Sequence, residues 1–219
     1  MLLMKRKMED RDDLIFFKRA FGEKLSQLKL KELEFDSEDI EQRGKGDKVE
    51  RILSRFIEEM KTTKIQILPR SSKRSFEDLS IKLGDFNIAL DFKSHDVDAN
   101  FSRPNLKSIE RIKKFLKNDS NHLWYVFVDY KSQENKTTIL NIEVRSPEEL
   151  PWECLDLGNI GRGQIQIKDK NIPINFREIS RSEWLKELSI NKIKFLDKQI
   201  NKFQKNKIKE IAELAELSE

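Results

Sequence analysis

The chain has 219 residues, of which 37% are hydrophobic and 37% charged, and its formal net charge is +4. A chain of this length can bury one good core, but so small a net charge does not by itself indicate a nucleic-acid partner. Its one cysteine excludes an internal disulfide and a cysteine-based zinc site, and its two histidines exclude the usual histidine metal clusters. No run is long enough to span a membrane and the start is no signal peptide, so we expect a cytoplasmic protein without membrane contact.

Two helices are predicted before residue 61, separated by the polar linker "EFDSEDIEQRGKGD". The first runs from Asp10 to Leu33, and we expect it to pack on the core or on a second subunit. Its apolar side carries Leu14, Phe17, Phe21, Leu25, Leu28 and Leu33. The second runs from Gly44 to Met60. Its apolar side carries Val49, Ile52, Leu53, Phe56, Ile57 and Met60.

The stretch "FEDLSIKLGDFNIALDFKSHD", Phe76 to Asp96, alternates between apolar and polar residues and predicts a β-hairpin. Gly84 and Asp85 suit a two-residue turn with glycine first, as in type II′. The register that this turn sets gathers the apolar residues on one face: Leu79, Ile81, Leu83, Phe86, Ile88 and Leu90. On the polar face it places Asp78 directly opposite Asp91.

Two carboxylates that face each other across a strand pair repel, so a positive charge should compensate them. Lys93 follows two residues after Asp91 on the same face and supplies one such charge. A Mg²⁺ ion bound by Asp78 and Asp91, and completed by water and a phosphate, would supply more. A lysine beside such a metal could orient or deprotonate an attacking water. The alternative is an ordinary hairpin whose polar face is solvated.

The chain after the hairpin predicts an α/β domain. A helix is predicted from Asn105 to Asn118, then a strand buried on both faces from His122 to Tyr130, and a further strand from Thr137 to Ser146. A helix, a hairpin, a crossover helix and further strands indicate a central mixed β-sheet flanked by helices.

These residues resemble the motif of the PD-(D/E)XK nucleases, with Asp78, Asp91 and Lys93 in its three places. Glu77 stands where the motif has proline, and the second acid is aspartate rather than the commoner glutamate. The resemblance covers about residues 44–145. It implies a restriction-endonuclease-like core in which Asp78 and Asp91 hold Mg²⁺ and Lys93 positions the water.

Members of this family often add an acidic residue from the helix before the hairpin. Glu50 is the best match for that residue, and it could assist at a second metal; Glu58 and Glu59 match less well. The other interpretation of Glu50 is a first-turn glutamate that complements the helix dipole.

A second informative stretch runs from Ser146 to Phe176 and holds three glycines within six residues, at positions 158, 161 and 163. After them Gln164, Gln166 and Lys168 alternate with isoleucines and face one way. Arginine and glutamine can make bidentate contacts to guanine and adenine, so we expect Arg162, Gln164 and Gln166 to read DNA bases and Lys168 to bind phosphate. The alternatives are an ordinary edge hairpin and a nucleotide-binding glycine loop, but the latter lacks the P-loop lysine and the following helix.

The C-terminal segment from Arg181 to Leu217 predicts a helix, with a break near Ser189 and Ile190. Its apolar stripe is heptad-like and comprises Leu185, Leu188, Ile193, Leu196, Ile200, Phe203, Ile208, Ile211 and Leu214. Residues 192–209 contain seven lysines and one aspartate. We expect the stripe to mediate dimerisation, with contact between the basic face and DNA as the second choice.

We therefore predict a Mg²⁺-dependent type II restriction endonuclease, built as one domain over residues 1–219. Its parts are an N-terminal helical segment (1–43), a nuclease core (44–146), a candidate DNA-recognition segment (147–180) and a C-terminal helical segment (181–219). The resemblance implies a homodimer that cuts both strands of a short palindromic sequence in double-stranded DNA, within a restriction-modification system that includes a DNA methyltransferase. The alternatives are a structure-specific repair or junction nuclease and a non-catalytic DNA-binding protein.

Overall fold

The structure is a computed structural model, and it describes residues 2–34, 45–62, 65–69, 76–99, 105–133, 136–158, 163–168 and 179–216. The described ranges contain the helices α1 (Leu2–Ser26), α2 (Lys45–Glu58), α3 (Ile109–Leu116) and α4 (Arg181–Glu216). They also contain the strands β1 (Glu32–Glu34), β2 (Ile65–Pro69), β3 (Leu79–Leu83), β4 (Phe86–Asp96), β5 (Asn105–Ser108), β6 (Asn121–Gln133), β7 (Lys136–Arg145), β8 (Leu155–Gly158) and β9 (Gln164–Ile167). The protein is therefore α/β, as the sequence predicts.

The chain divides into two compact units. The first comprises Met1–Ser102 and Phe115–Pro147, and the second comprises Arg103–Lys114 and Glu148–Glu219. Helix α3 begins in the second unit and ends in the first. The expectation of one domain over the whole chain stays a prediction.

The first unit is built on a six-stranded sheet in the order β1-β7-β6-β4-β3-β2. Strands β4 and β6 run parallel, whereas the other neighbouring strands are antiparallel, so the sheet is mixed as predicted. Parallel neighbours require a crossover connection, which β5 and α3 supply between β4 and β6. Residues 123–126 of β6 are buried on both faces, as the apolar sequence predicts, whereas Phe127 and Asp129 further along the strand are partly exposed.

The core of the first unit lies between one face of this sheet and the apolar sides of α1 and α2. Helix α2 buries Val49, Leu53 and Ile57 completely. Helix α1 contributes Leu14, Phe21 and Leu25 of its predicted stripe, and Leu28 is buried in the turn that follows the helix. The expectation that the N-terminal helix packs on the core is thus confirmed.

The bounds predicted for α1 were wrong at both ends. The helix begins at Leu2 and ends at Ser26. Leu30 adopts a left-handed backbone (φ 61°), and its N–H donates to the carbonyl oxygen of Ile139 at 2.7 Å. A non-glycine residue in this region ends a helix, and Leu33 then enters β1, where it pairs with Thr137.

Two further predictions are corrected by strand pairing and helix continuity. Asn105–Ser108 is not helical but forms β5, because its backbone pairs with β9; tertiary pairing here overrides the helical pattern. Helix α4 runs unbroken through Ser189 and Ile190. The Ser189 hydroxyl donates to the carbonyl oxygen of Leu185 at 2.9 Å, a bond that a continuous helix accommodates.

The second unit contains a three-stranded antiparallel sheet in the order β5-β9-β8. Most of its helical residues belong to α4. The indole rings of Trp152 and Trp184 stack with their centroids 5.8 Å apart. Trp184 is fully buried, which anchors the start of α4 in this unit.

Candidate active site

The β3–β4 hairpin forms in the register that its turn predicts. Five residue pairs join the strands, from Leu83 and Phe86 beside the turn to Leu79 and Leu90 at the far end. Gly84 has a φ of 55°, the positive value that the first central position of a primed turn requires. Local turn chemistry therefore fixes where the polar residues of β4 lie.

Asp78 lies just beyond the last residue pair of this ladder. Its N–H donates to the carbonyl oxygen of Leu90 at 2.9 Å, and its Oδ2 accepts the N–H of Phe92 at 3.0 Å. The ladder thus stops one residue short of the pair that the sequence predicts between Asp78 and Asp91. The carboxylate of Asp78 instead binds the backbone next to Asp91, which still brings the two acids to one end of the hairpin.

Asp91 is a buried carboxylate, with only 1% of its surface exposed. The ammonium of Lys93 lies 2.8 Å from its Oδ2 atom, and the Lys93 side chain is 18% exposed. A buried carboxylate is costly unless a partner compensates its charge. Lys93 therefore both neutralises Asp91 and remains accessible from the solvent.

Glu50 joins this group from the first turns of α2. Burial, and then the negative charge of Asp78, raise the pKa of Glu50 from its ordinary value of 4.5 to about 7, with Lys93 acting in the opposite direction and Asp91 adding to the rise. Burial is the largest of these causes, and the effects of the charges place Glu50 within electrostatic range of Asp78, Asp91 and Lys93. Hydrogen bonding and the ion pair join Asp78, Asp91 and Lys93 directly, whereas Glu58 and Glu59 are exposed.

A glycine that sequence reasoning missed lets α2 approach the site closely. A Cβ atom on Gly46 would lie 2.7 Å from the Oγ atom of Ser94, which follows Lys93 in β4. Such a distance is too short for a real contact, so a side chain at position 46 would force the Ser94 hydroxyl to move. The one available signal was a glycine in the first turn of an otherwise regular amphipathic helix.

Other titratable residues of β4 and β6 lie beyond this group. His95 lies on β4, and its Nδ1 atom is 3.1 Å from Oδ1 of Asp129 on β6. Tyr130 is buried, and burial together with the charges of Asp96 and Glu50 raises its pKa. The position of Tyr130 near Glu50 was not predicted from the sequence.

The residues predicted to contact DNA lie in the second unit. Gln164 and Gln166 occupy β9, the central strand of its sheet, and Lys168 follows directly. The amide of Gln166 donates to Oδ1 of Asn105 at 2.6 Å, and the ammonium of Lys168 donates to the carbonyl oxygen of Glu153 at 3.2 Å. The prediction for Arg162 lies outside the described residues.

The donor atoms at the hairpin end are carboxylate oxygens, the ligand type that Mg²⁺ prefers. Within the ranges that the structure describes, no group of three or more histidine, cysteine, aspartate or glutamate side chains is arranged to hold a metal. Asp78 and Asp91 could therefore offer a metal at most two carboxylates, and water and a phosphate would have to complete its coordination.

The sequence of this chain matches no known family model, and no curated protein matches it. Among the described helices, none is both long and apolar enough to cross a membrane.

Proposed function

We propose that the protein is a Mg²⁺-dependent DNA endonuclease of the PD-(D/E)XK type, of the kind found among type II restriction enzymes. The observation that carries the proposal is the convergence of Asp78, Asp91, Lys93 and Glu50 at the open end of the β3–β4 hairpin. A solvated hairpin face would not bury Asp91 against Lys93, nor place Glu50 of helix α2 within electrostatic range of both aspartates. The arrangement therefore favours a site over an ordinary hairpin.

The order of elements supports the same proposal. Helix α2, the three antiparallel strands β2, β3 and β4, the crossover helix α3 and the parallel strand β6 follow one another as the nuclease core requires. This order, with β5 added before the crossover helix, is compatible with such a core and supports the proposal.

Each residue has a separate task in this proposal. Asp78 and Asp91 would hold the metal, which supplies a Lewis acid to the scissile phosphate. Lys93 orients the attacking water, because its ammonium is held beside Asp91 at the solvent-accessible side. Glu50 has a pKa of about 7, so it can take up or release a proton near neutral pH and assist at the metal.

The finer parts of the proposal concern the substrate. The enzyme would cut both strands of a short palindromic sequence by in-line attack of water, leave 5′ phosphates, act as a homodimer, and depend on a methyltransferase for protection of host DNA. Gln164, Lys168 and Arg162 would contact the DNA. Gln166 is the weaker candidate, because its amide already binds Asn105 within the sheet.

A substrate panel tests this proposal against its two alternatives. The purified protein is incubated, with and without Mg²⁺, with linear phage DNA and with a four-way junction of unrelated sequence. Discrete Mg²⁺-dependent fragments of phage DNA support a site-specific endonuclease. Cleavage confined to the junction supports a repair or junction nuclease, and binding of either DNA without cleavage and regardless of Mg²⁺ supports a non-catalytic DNA-binding protein.

A further inference from the structure

Helix α4 carries large apolar side chains exposed to water along its C-terminal half. Every α4 side chain described from Ile200 to Leu214 is exposed, and Phe203 reaches 70%. The exposed stripe consists of Ile193, Leu196, Ile200, Phe203, Ile208 and Ile211. An isolated helix that shows such a stripe to water is marginally stable, because helices gain most of their stability by packing an apolar face. We therefore expect a partner to cover the stripe.

The spacing of the stripe indicates that the partner is another helix. Its residues recur at intervals of three and four, with one longer step before Ile208. Apolar residues at such intervals pack as knobs into the holes of a facing helix.

The same spacing favours a second copy that runs in the opposite direction. If two copies of α4 cross near Lys202 and Phe203, Ile193 of one copy faces Ile211 of the other. Leu196 then faces Ile208, and Ile200 and Phe203 lie on either side of the crossing point at Lys202. The outer four stripe residues are thus matched in pairs and the inner two lie beside the axis, because the intervals are nearly the same when read from either end.

The charges beside the stripe agree with this antiparallel arrangement. In the antiparallel register that sets Ile193 opposite Ile211, Asp197 of one copy lies opposite Lys207 of the other. Lys192 takes no part, because it already pairs with Glu110 within the chain. Parallel copies would instead place Lys207, which lies close to the stripe, near Lys207 of the partner, and like charges so placed are destabilising.

We propose that the protein forms a two-fold dimer through antiparallel pairing of α4, with the axis near Lys202 and Phe203. The pairing covers the stripe and leaves Lys198 and Lys202 on the outer face, where they can meet a polyanion. This inference rests on the proposed function, and it identifies the surface through which the proposed homodimer would form. Its tests measure mass and cross-linking, so dimerisation can fail while the protein still cleaves DNA, and DNA cleavage can fail while the protein is still a dimer.

The mass in solution is the first test. Light scattering on the full chain at tens of micromolar should give a dimer, and the double variant Ile200→Asp/Phe203→Asp should be a monomer. Both side chains are exposed, so the substitutions should leave the fold intact. The matched control is Lys198→Asp/Lys202→Asp on the opposite side of the helix, which should remain dimeric. A monomeric wild-type chain, or a dimeric Ile200→Asp/Phe203→Asp variant, would overturn the proposal.

Disulfide cross-linking tests the direction of the pairing. Cys154 is buried and can stay in place as the native background. After mild oxidation, a mixture of the single variants Ile193→Cys and Ile211→Cys should form a covalent heterodimer, whereas neither variant should cross-link alone. Efficient cross-linking of each variant with itself would show a parallel pair and contradict the proposal. Protection of both cysteines from alkylation by duplex DNA alone, in a monomeric chain, would show that nucleic acid covers the stripe instead.

Discussion

The ammonium of Lys93 lies 2.8 Å from the Oδ2 atom of Asp91, whose side chain is 1% exposed. The buried carboxylate thus has its counter-charge two residues further along the same strand. This spacing is set by the alternation of β4, and it makes the stability of the hairpin end depend on the same two groups that the proposed chemistry uses.

Replacing Lys93 by methionine should destabilise the protein, because it leaves the Asp91 carboxylate buried without its partner. The expected loss is about 1–3 kcal/mol in the free energy of unfolding. The double variant Asp91→Asn/Lys93→Met should recover most of that loss, since it removes both charges. Urea unfolding monitored by tryptophan fluorescence measures this. Equal stability of Lys93→Met and the wild type would show that the ion pair has no such role.

Replacing Glu50 by glutamine should stabilise the protein at neutral and alkaline pH. The folded state raises the pKa of Glu50 to about 7, above its ordinary value of 4.5, so ionisation is less favourable in the folded chain. The stability that the protonated Glu50 side chain gives the folded state over the unfolded state is fully present below pH 4.5 and is lost as the pH rises through 7. Because Glu50 is partly exposed, solvent reduces the effect of its charge. We therefore expect Glu50→Gln to raise the free energy of unfolding by about 1–2 kcal/mol at pH 8 and to leave it unchanged at pH 4. Thermal unfolding across this pH range measures the difference, and a gain that is independent of pH would contradict the prediction.

Binding of Mg²⁺ should release protons near pH 6.5, because Glu50 is largely protonated there and a metal bound beside it favours the ionised carboxylate. Titration calorimetry in two buffers of different ionisation enthalpy gives the number of protons released. We expect up to about one proton for the wild type and close to none for Glu50→Gln. The same proton count in both proteins would place Glu50 away from the metal.

Adding a methyl group at Gly46 should disturb the contact between α2 and β4. The new Cβ atom would lie 2.7 Å from the Ser94 Oγ atom, so Gly46→Ala should lose about 1 kcal/mol despite the better helix propensity of alanine. The double variant Gly46→Ala/Ser94→Ala removes the clash and should be at least as stable as the wild type. Chemical denaturation of the two variants decides this, and equal destabilisation of both would exclude the Ser94 contact as the cause.

Gln164 and Gln166 should differ when each is replaced by alanine. Gln166→Ala removes the hydrogen bond to Asn105, so it should lower the melting temperature. Gln164→Ala should leave the melting temperature unchanged and relax the choice of cleavage sites by the enzyme. Fragment patterns of phage DNA and thermal unfolding together separate the two effects. An unchanged pattern with Gln164→Ala would remove this residue from the DNA interface.

Local chemistry explains which parts of the fold could be predicted. Gly84 fixed the turn, and with it the register that carries Asp91 and Lys93, because glycine at the first turn position and strict alternation leave few other pairings. The apolar stripe of α2 likewise placed Glu50 on the side of the helix that meets the site.

The remaining parts depend on contacts between segments distant in sequence. Asn105–Ser108 became a strand because β9 offered a partner, and Leu33 left the helical pattern to pair with β7. The Asp78 carboxylate binds the Phe92 amide because the ladder ends at Leu79, a feature that the turn register alone could not give. Gly46 acquires its role only from the proximity of Ser94.

Digestion of phage DNA by a matched pair of variants tests the central claim most directly. Asp91→Asn removes one charge from the buried end of β4, and Asp85→Asn removes one from the exposed turn of the same hairpin. With Mg²⁺ present, the wild type and Asp85→Asn should give the same discrete fragments, whereas Asp91→Asn, shown to be folded by circular dichroism, should be at least about 100-fold slower. Cleavage by Asp91→Asn at the wild-type rate, or no cleavage by any of the three folded proteins, would contradict the proposed active site.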